Sequence, residues 1–268
     1  MCRIPRAGGG VVSELLLYPK DAGLLVIVPS RGRPDSVARM ATAWRDTDAY
    51  EAATLVFAID EDDPTLGAYL DQRVAYFDQL LRDVGQTQVT FVTLPTWLPM
   101  VRKLNECASA AATGDPGYFA VAFMGDDHLP RTPGWAATYL AALRELGTGI
   151  VYGNDGIQGQ RLPTQWAMTS DIIRALGRMV PADVEHLYCD NAVKDLGEAA
   201  GCLRYLPDVL IEHMHPVAGK APMDAGYARV NRREQYRKDR LAYEAWRDRH
   251  LPDQAAMVRA ARAVSVHG

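Results

Sequence analysis

Several features that would point to other kinds of protein are missing from this chain. Its 268 residues include four cysteines, Cys2, Cys107, Cys189 and Cys202, and no two of them form a CxxC pair. That spacing indicates neither a zinc knuckle nor a redox dithiol. Cys107, Cys189 and Cys202 stand in apolar-patterned stretches and read as reduced core thiols, which fits a cytoplasmic setting. No run of 18 or more apolar residues occurs, so no membrane span is expected. The opening residues carry a Gly-Gly-Gly run but no apolar signal-peptide core, and we read 1–23 as a loose segment. Positive charge is not in excess. The net charge of −4 removes any global attraction to nucleic acid or an anionic membrane, although local patches survive it. There is no internal repeat and no low-complexity linker.

What remains is an ordinary globular composition, 48% hydrophobic and 23% charged, over a length that suits one α/β domain with a tail. From residue 24 to about 150, apolar runs alternate with segments of helical spacing. This predicts a mainly parallel sheet with helices on both faces. Strands are expected at Leu24–Pro29, Thr54–Ile59, Val89–Leu94, Tyr118–Met124, Ile150–Tyr152 and Trp166–Thr169. Two more are expected at Cys202–Leu206 and Val209–Met214. Helices are expected at Ser36–Arg45, Leu66–Val84, Leu98–Ala112 and Trp135–Leu146. A short helix capped by Ser170 or Asp171 runs to Leu176. Another opens at His186–Asn191 and runs through Leu196, and a charged one spans Val230–His250. Residues 251–268 read as a frayed tail.

The richest stretch is Tyr118–Pro130. Its first half is apolar on both faces, as a doubly covered strand would be. It ends in Gly125-Asp126-Asp127-His128. Two adjacent carboxylates at the end of a buried strand are costly unless positive charge meets them, and a divalent cation with a phosphate-bearing ligand would supply it. The first strand ends in Pro29-Ser30-Arg31-Gly32-Arg33-Pro34 and leads into a helix, the usual place for a nucleotide, where Arg31 and Arg33 could reach phosphate. The second ends in Asp60, whose carboxylate could accept from a base or from ribose hydroxyls. Arg102, Lys103 and Asn105 near a helix start could face a diphosphate or a sugar. Asp190, early in its helix, is either a carboxylate favoured by the dipole or a catalytic base. His213 and His215 share one face of an extended segment and are candidate metal ligands. Lys220 sits in a Gly-Lys-Ala-Pro loop fit to close on phosphates. Between Arg229 and Arg249, eight basic residues outnumber four acidic ones, with Tyr236, Tyr243 and Trp246 interleaved. This reads as a packing helix or as a surface for a polyanion.

In this order and spacing the motifs resemble the nucleotide-sugar glycosyltransferases of the GT-A fold. They comprise the Pro29–Pro34 turn, the strand ending in Asp60, the Arg102–Ala112 helix, Gly125–Pro130 and Thr132-Pro133-Gly134-Trp135. The resemblance implies a GT-A domain over 24–220, with 221–268 as a C-terminal helical extension. It implies a nucleoside diphosphate sugar, a UDP-sugar first, as donor and Mn²⁺ or Mg²⁺ as cofactor. Asp127 and a histidine of the His213/His215 pair would hold the metal, with Asp126 in support. Pro29, Ser30, Arg31, Arg33, Asp60, Lys103, Asn105, Asp126 and Lys220 would meet the nucleotide or sugar. Asp190 corresponds to the base of inverting members; retaining members need none, so both stereochemical outcomes stay open. One departure is that Met124 or His128 stands where an Asp-x-Asp motif has an acid. The HLYCDN, EHMHP and GKAP segments also resemble phage-encoded enzymes that glycosylate hydroxymethylated DNA. The Arg229–Arg249 helix would suit that acceptor, in a host cytoplasm. Two other readings are a nucleotidyltransferase, disfavoured because Ser30–Pro34 has only Gly32, and a nucleotide-sugar-binding module that has lost catalysis.

Overall fold

The computed structural model describes residues 23–72, 89–94, 98–114 and 117–265. Leu24–Ser30 (β1) is buried at every position because helices cover both faces of its sheet. Alternate side chains serve the two layers. Leu25 and Ile27 join a core with Met100–Thr113 (α3), Ser170–Leu176 (α5) and Cys189–Ala200 (α6). Leu24, Val26 and Val28 join the opposite core, with Asp35–Asp46 (α1) and Trp135–Leu146 (α4). β1 pairs in parallel with Ala53–Asp60 (β2) and Ala120–Phe123 (β4), and β2 pairs in parallel with Val89–Leu94 (β3). The C-terminal ends of these strands therefore bring Ser30, Asp60 and the Gly125–His128 turn to one rim. A helix (α2) opens at residue 66 and is described to 72; the remainder of the Leu66–Val84 expectation lies outside the described residues.

Beyond β4 the sheet is mixed. Its order is β3-β2-β1-β4-β7-β6-β8-β5, where β5 is His128–Pro130, β6 Ile150–Asn154, β7 Trp166–Thr169 and β8 Leu203–His213. The Cys202–Leu206 and Val209–Met214 strands expected from the sequence are one strand, β8, with an irregularity between them. Gly153 pairs with Leu206, but Asn154 pairs with Leu210, leaving Pro207–Val209 outside the β6 register. Proline cannot donate to a ladder and is tolerated at such a bulge. Gly153 is needed there, because a Cβ would lie 2.5 Å from the Val209 carbonyl oxygen. Past the bulge, β8 turns to pair with the short β5, with His128 opposite His213.

The C-terminal region differs from the expectation in three ways. The helix expected over Val230–His250 starts at Arg233 (α8, Arg233–Arg249), and a short helix that was not expected, Ala225–Val230 (α7), precedes it across Asn231-Arg232. Residues 251–265 are a helix (α9, Leu251–Ser265) and not a frayed tail, since Ala255 and Val258 are buried in the same core as Tyr243 and Trp246 of α8. The short helix α5 is preceded by Thr169 with no side-chain cap, in place of a Ser170 or Asp171 cap.

Candidate functional site

The Gly125–His128 turn is held from several directions. Asp126 is buried; its Oδ1 accepts from Arg33 Nη1 at 2.8 Å and its Oδ2 from the Ser30 hydroxyl at 2.6 Å. Arg33 also grips Asp224 through Nε at 2.7 Å and lies over the Tyr227 ring, 4.1 Å from its centroid. Asp126 thus secures the turn to β1 and to α7. Asp127 faces the other way. Its Oδ1 is 3.1 Å from His128 Nδ1, and its Oδ2 is 3.3 Å from His213 Nε2. The Tyr227 hydroxyl donates to Oδ2 at 2.6 Å. The two imidazoles stack with centroids 4.0 Å apart, as the β5–β8 register requires.

Ligand atoms of Asp127, His128 and His213 all lie within 4.8 Å of one another. One carboxylate and two imidazoles suit a divalent transition ion, Mn²⁺ better than Mg²⁺, which prefers an all-oxygen shell. The backbone is shaped for this cradle. A Cβ on Gly125 would lie 2.5 Å from Asp127 Oδ1 and 2.8 Å from His128 Nδ1, so only glycine leaves the space open. The electrostatics agree. Burial opposes charge on His213, yet Asp127 and Asp155 outweigh it and raise its pKa to about 9. Burial likewise opposes charge on Asp127, but the charged His213, 3.3 Å away, holds its pKa well below the carboxylate norm. The carboxylates call for a cation, and a metal would take the place of that proton.

Asp155, in the Gly153-Asn154-Asp155-Gly156 segment that ends β6, is 1% exposed behind this cradle. Its Oδ1 accepts backbone N–H groups from Ile157, Gln158 and Gly159 at 2.9, 2.6 and 2.9 Å. Its Oδ2 accepts from the Thr164 hydroxyl at 2.9 Å and is 3.9 Å from His213 Nδ1. Tyr227 and His128 are the other contributors absent from the expected set. His128 stood in view, beside the acids. Tyr227 had no local signal.

The cradle borders a cavity of about 360 Å³, lined among others by Pro29, Ser30, Arg31, Arg33, Lys103, Asp126, His215 and Asp190. Asp190 sits in the first turn of α6, where its Oδ1 accepts the Asn191 N–H at 2.9 Å. Burial raises its pKa to about 6 in spite of that bond. Tyr188, just before the helix, holds φ +64, a left-handed conformation uncommon outside glycine and frequent at functional turns. The Glu185, His186 and Leu187 N–H groups of this loop all donate to the buried carboxylate of Asp239 on α8.

Four expected residues have other surroundings. His215 lines the cavity and touches the rings of His213 and Tyr227, but its Nδ1 accepts the Val217 N–H, and it stands outside the three-residue cradle. Asp60 is fully buried. Its Oδ2 accepts from Arg31 at 2.8 Å and Lys103 at 2.7 Å, so it meets the cavity only through those two cations. Asn105 clamps a loop: its Oδ1 takes the Met179 and Val180 N–H groups, and its Nδ2 donates to the Val180 carbonyl. Lys220 pairs with Glu212 at 2.8 Å, away from the cavity lining.

No family model matches this chain, and no curated protein matches it. Solved structures do. A mannosyltransferase from Pyrobaculum calidifontis, in complex with GDP-Man and Mn²⁺, superposes with a TM-score of 0.56 at 15% identity, over 95% of this chain and 80% of that one. Residues 1–349 of S. aureus TarS with UDP-GlcNAc give 0.56 at 11% identity, over 91% and 72%. The glucosyl-3-phosphoglycerate synthase of Mycobacterium tuberculosis, with Mn²⁺, UDP-Glc and glycerol 3-phosphate, gives 0.53 at 10%, over 84% and 80%. The fold is GT-A. At these identities the likeness is one of fold, and this chain spans only 36% of the longer TarS chain. The GT-A sheet explains why the acid turn, the Ser30–Arg33 loop and the α6 N-terminus meet. All three lie at or near the carboxyl edge of its parallel strands, where open α/β sheets bind ligands.

Proposed function

We propose that this protein is a metal-dependent glycosyltransferase that moves a sugar from a nucleoside diphosphate sugar to an acceptor hydroxyl. The observation that carries this reading is the Asp127–His128–His213 cradle, opening onto a 360 Å³ cavity at the carboxyl edge of a GT-A sheet. Mn²⁺ is the expected ion and Mg²⁺ the weaker substitute. When bound, it supplies positive charge against the leaving diphosphate. Arg31 and Lys103, held by Asp60, present cations to the nucleotide side, and Ser30 and Arg33 keep the Asp126–Asp127 turn in register. Asp190 takes the proton of the acceptor hydroxyl. The hydroxyl oxygen bonds the anomeric carbon as the carbon–oxygen bond to the diphosphate breaks, releasing a nucleoside diphosphate. A base in this role implies inversion. UDP-sugars are the first donors to try and GDP-sugars the second, because the neighbours' complexes hold both kinds.

For the acceptor, α8 offers a basic surface that would suit a polyanion such as hydroxymethylated DNA. Part of its charge is already paired, Lys238 with Glu185 and Arg240 with Glu244. The test of the function is a donor-turnover assay across UDP- and GDP-sugars, with Mn²⁺ or EDTA. Metal-dependent release of the nucleoside diphosphate is expected. A parallel incubation with UTP or GTP and a sugar 1-phosphate that released pyrophosphate and formed the nucleotide sugar would speak for a nucleotidyltransferase. Binding without any release would speak for an inactive binding module.

A further inference from the structure

The proton positions around the cradle can be followed from one buried group. Asp155 is an acceptor only, so the Thr164 hydroxyl must spend its single proton on Oδ2, at 2.9 Å. Thr164 Oγ1 is then left as an acceptor, and His128 Nε2 lies 3.4 Å from it. His128 Nε2 therefore carries the proton. Its Nδ1 carries no hydrogen; its lone pair accepts the Gly125 N–H at 3.2 Å, a long bond that an incoming ion would displace. On the other side, His213 Nδ1 faces Asp155 Oδ2 at 3.9 Å, an electrostatic contact longer than a hydrogen bond. The His213 backbone N–H also donates to the Asp155 carbonyl at 2.9 Å. Nε2 of the same ring faces Asp127 at 3.3 Å, so an ion would take the place of the Nε2 proton and leave the Nδ1 proton on the Asp155 side.

We propose that Asp155, acting directly on His213 and through Thr164 on His128, is the positioning residue that presents both imidazoles to one metal ion in the ligating tautomer. The inference rests on the metal reading of the cradle. Neither Asp155 nor Thr164 touches Asp127. Their contribution is to orient two rings of different strands from a single anchor, itself fixed by three backbone N–H groups of the 157–159 turn. Outer partners of this kind set ring orientation and ligand basicity.

The test measures Mn²⁺ binding by electron paramagnetic resonance in wild type, Asp155→Asn and Thr164→Val, with circular dichroism as a check on folding. Asp155→Asn is expected to weaken Mn²⁺ binding by about 10–100-fold. Thr164→Val, which leaves the 157–159 turn intact, should weaken it less and remains decisive if Asp155→Asn does not fold. Nitrogen-15 NMR of the metal-free imidazoles gives an independent readout. His128 is expected as the Nε2–H tautomer in wild type and as a mixture in Thr164→Val. Mn²⁺ binding by the folded variants within about twofold of wild type, or a His128 Nδ1–H tautomer in wild type, would overturn the proposal. Wild type that binds no Mn²⁺ at all would instead overturn the metal reading beneath it.

Discussion

At the residue scale, the chemistry is concentrated in a few side chains whose partners leave them little freedom. Asp127 contributes the carboxylate of the cradle, and its loss leaves His213 without its nearest counter-charge. Asp127→Ala is expected to reduce Mn²⁺ affinity by more than about a hundredfold, beyond the usual cost of losing an outer-shell partner; calorimetry with Mn²⁺ checks this. Gly125→Ala should be as damaging without removing any ligand, because the added methyl would occupy the space between Asp127 and His128. Near-normal Mn²⁺ binding by that variant would contradict the placement of the ion. In its proposed role Asp190 would act as a base only when ionised, and burial raises its pKa to about 6. Turnover (kcat/KM) should therefore climb with pH through about 6 and level off above it. Asp190→Asn should lower kcat by about 10²–10⁴-fold and abolish that limb of the profile. An unchanged acid limb would assign it to another group.

At the element scale, the site depends on two connections that the sequence hides. One is the bulge in β8. Nothing in Leu203–His213 announces that three residues leave the β6 register. Without that slip, His213 would not stand opposite His128. The pairing period along each segment was readable, which is why β1, β2 and the acid turn could be located from residue types alone. The partnership of two strands far apart in the chain was not, because register depends on where the bulge falls. The same limit explains Asp155, which in isolation is one more acid in a Gly-rich turn, and Lys103, whose charge is met by Asp60 across 43 positions. The second connection is between α8 and the wall of the cavity. Asp239 receives three consecutive backbone N–H groups from the loop leading to Asp190. Asp239→Ala should lower the melting temperature by about 5–10 °C, as expected when bonds to a charged acceptor of about 3 kcal/mol are lost from a chain of this size. Turnover should fall with it. A variant with wild-type melting and activity would mean that α8 is dispensable to the wall.

At the scale of the whole molecule, the GT-A sheet gathers three sequence-distant segments at one edge: the Ser30–Arg33 loop, the acid turn, and the end of β8. The C-terminal helices complete the arrangement. α7 reaches over the turn so that Tyr227 touches Asp127, while α8 and α9 share the core beneath α6. Among the described residues no helix is long and apolar enough to cross a membrane. The surface accommodates an excess of acid, and the centre requires a cation. The measurement that bears most directly on this is calorimetry of UDP and GDP against wild-type protein, with Mn²⁺ and then with EDTA. Strong binding of at least one nucleotide with Mn²⁺, weakened tenfold or more by EDTA, is the expected result. Equal binding with and without the ion would contradict the claim that the acids after Met124 serve a metal and its diphosphate.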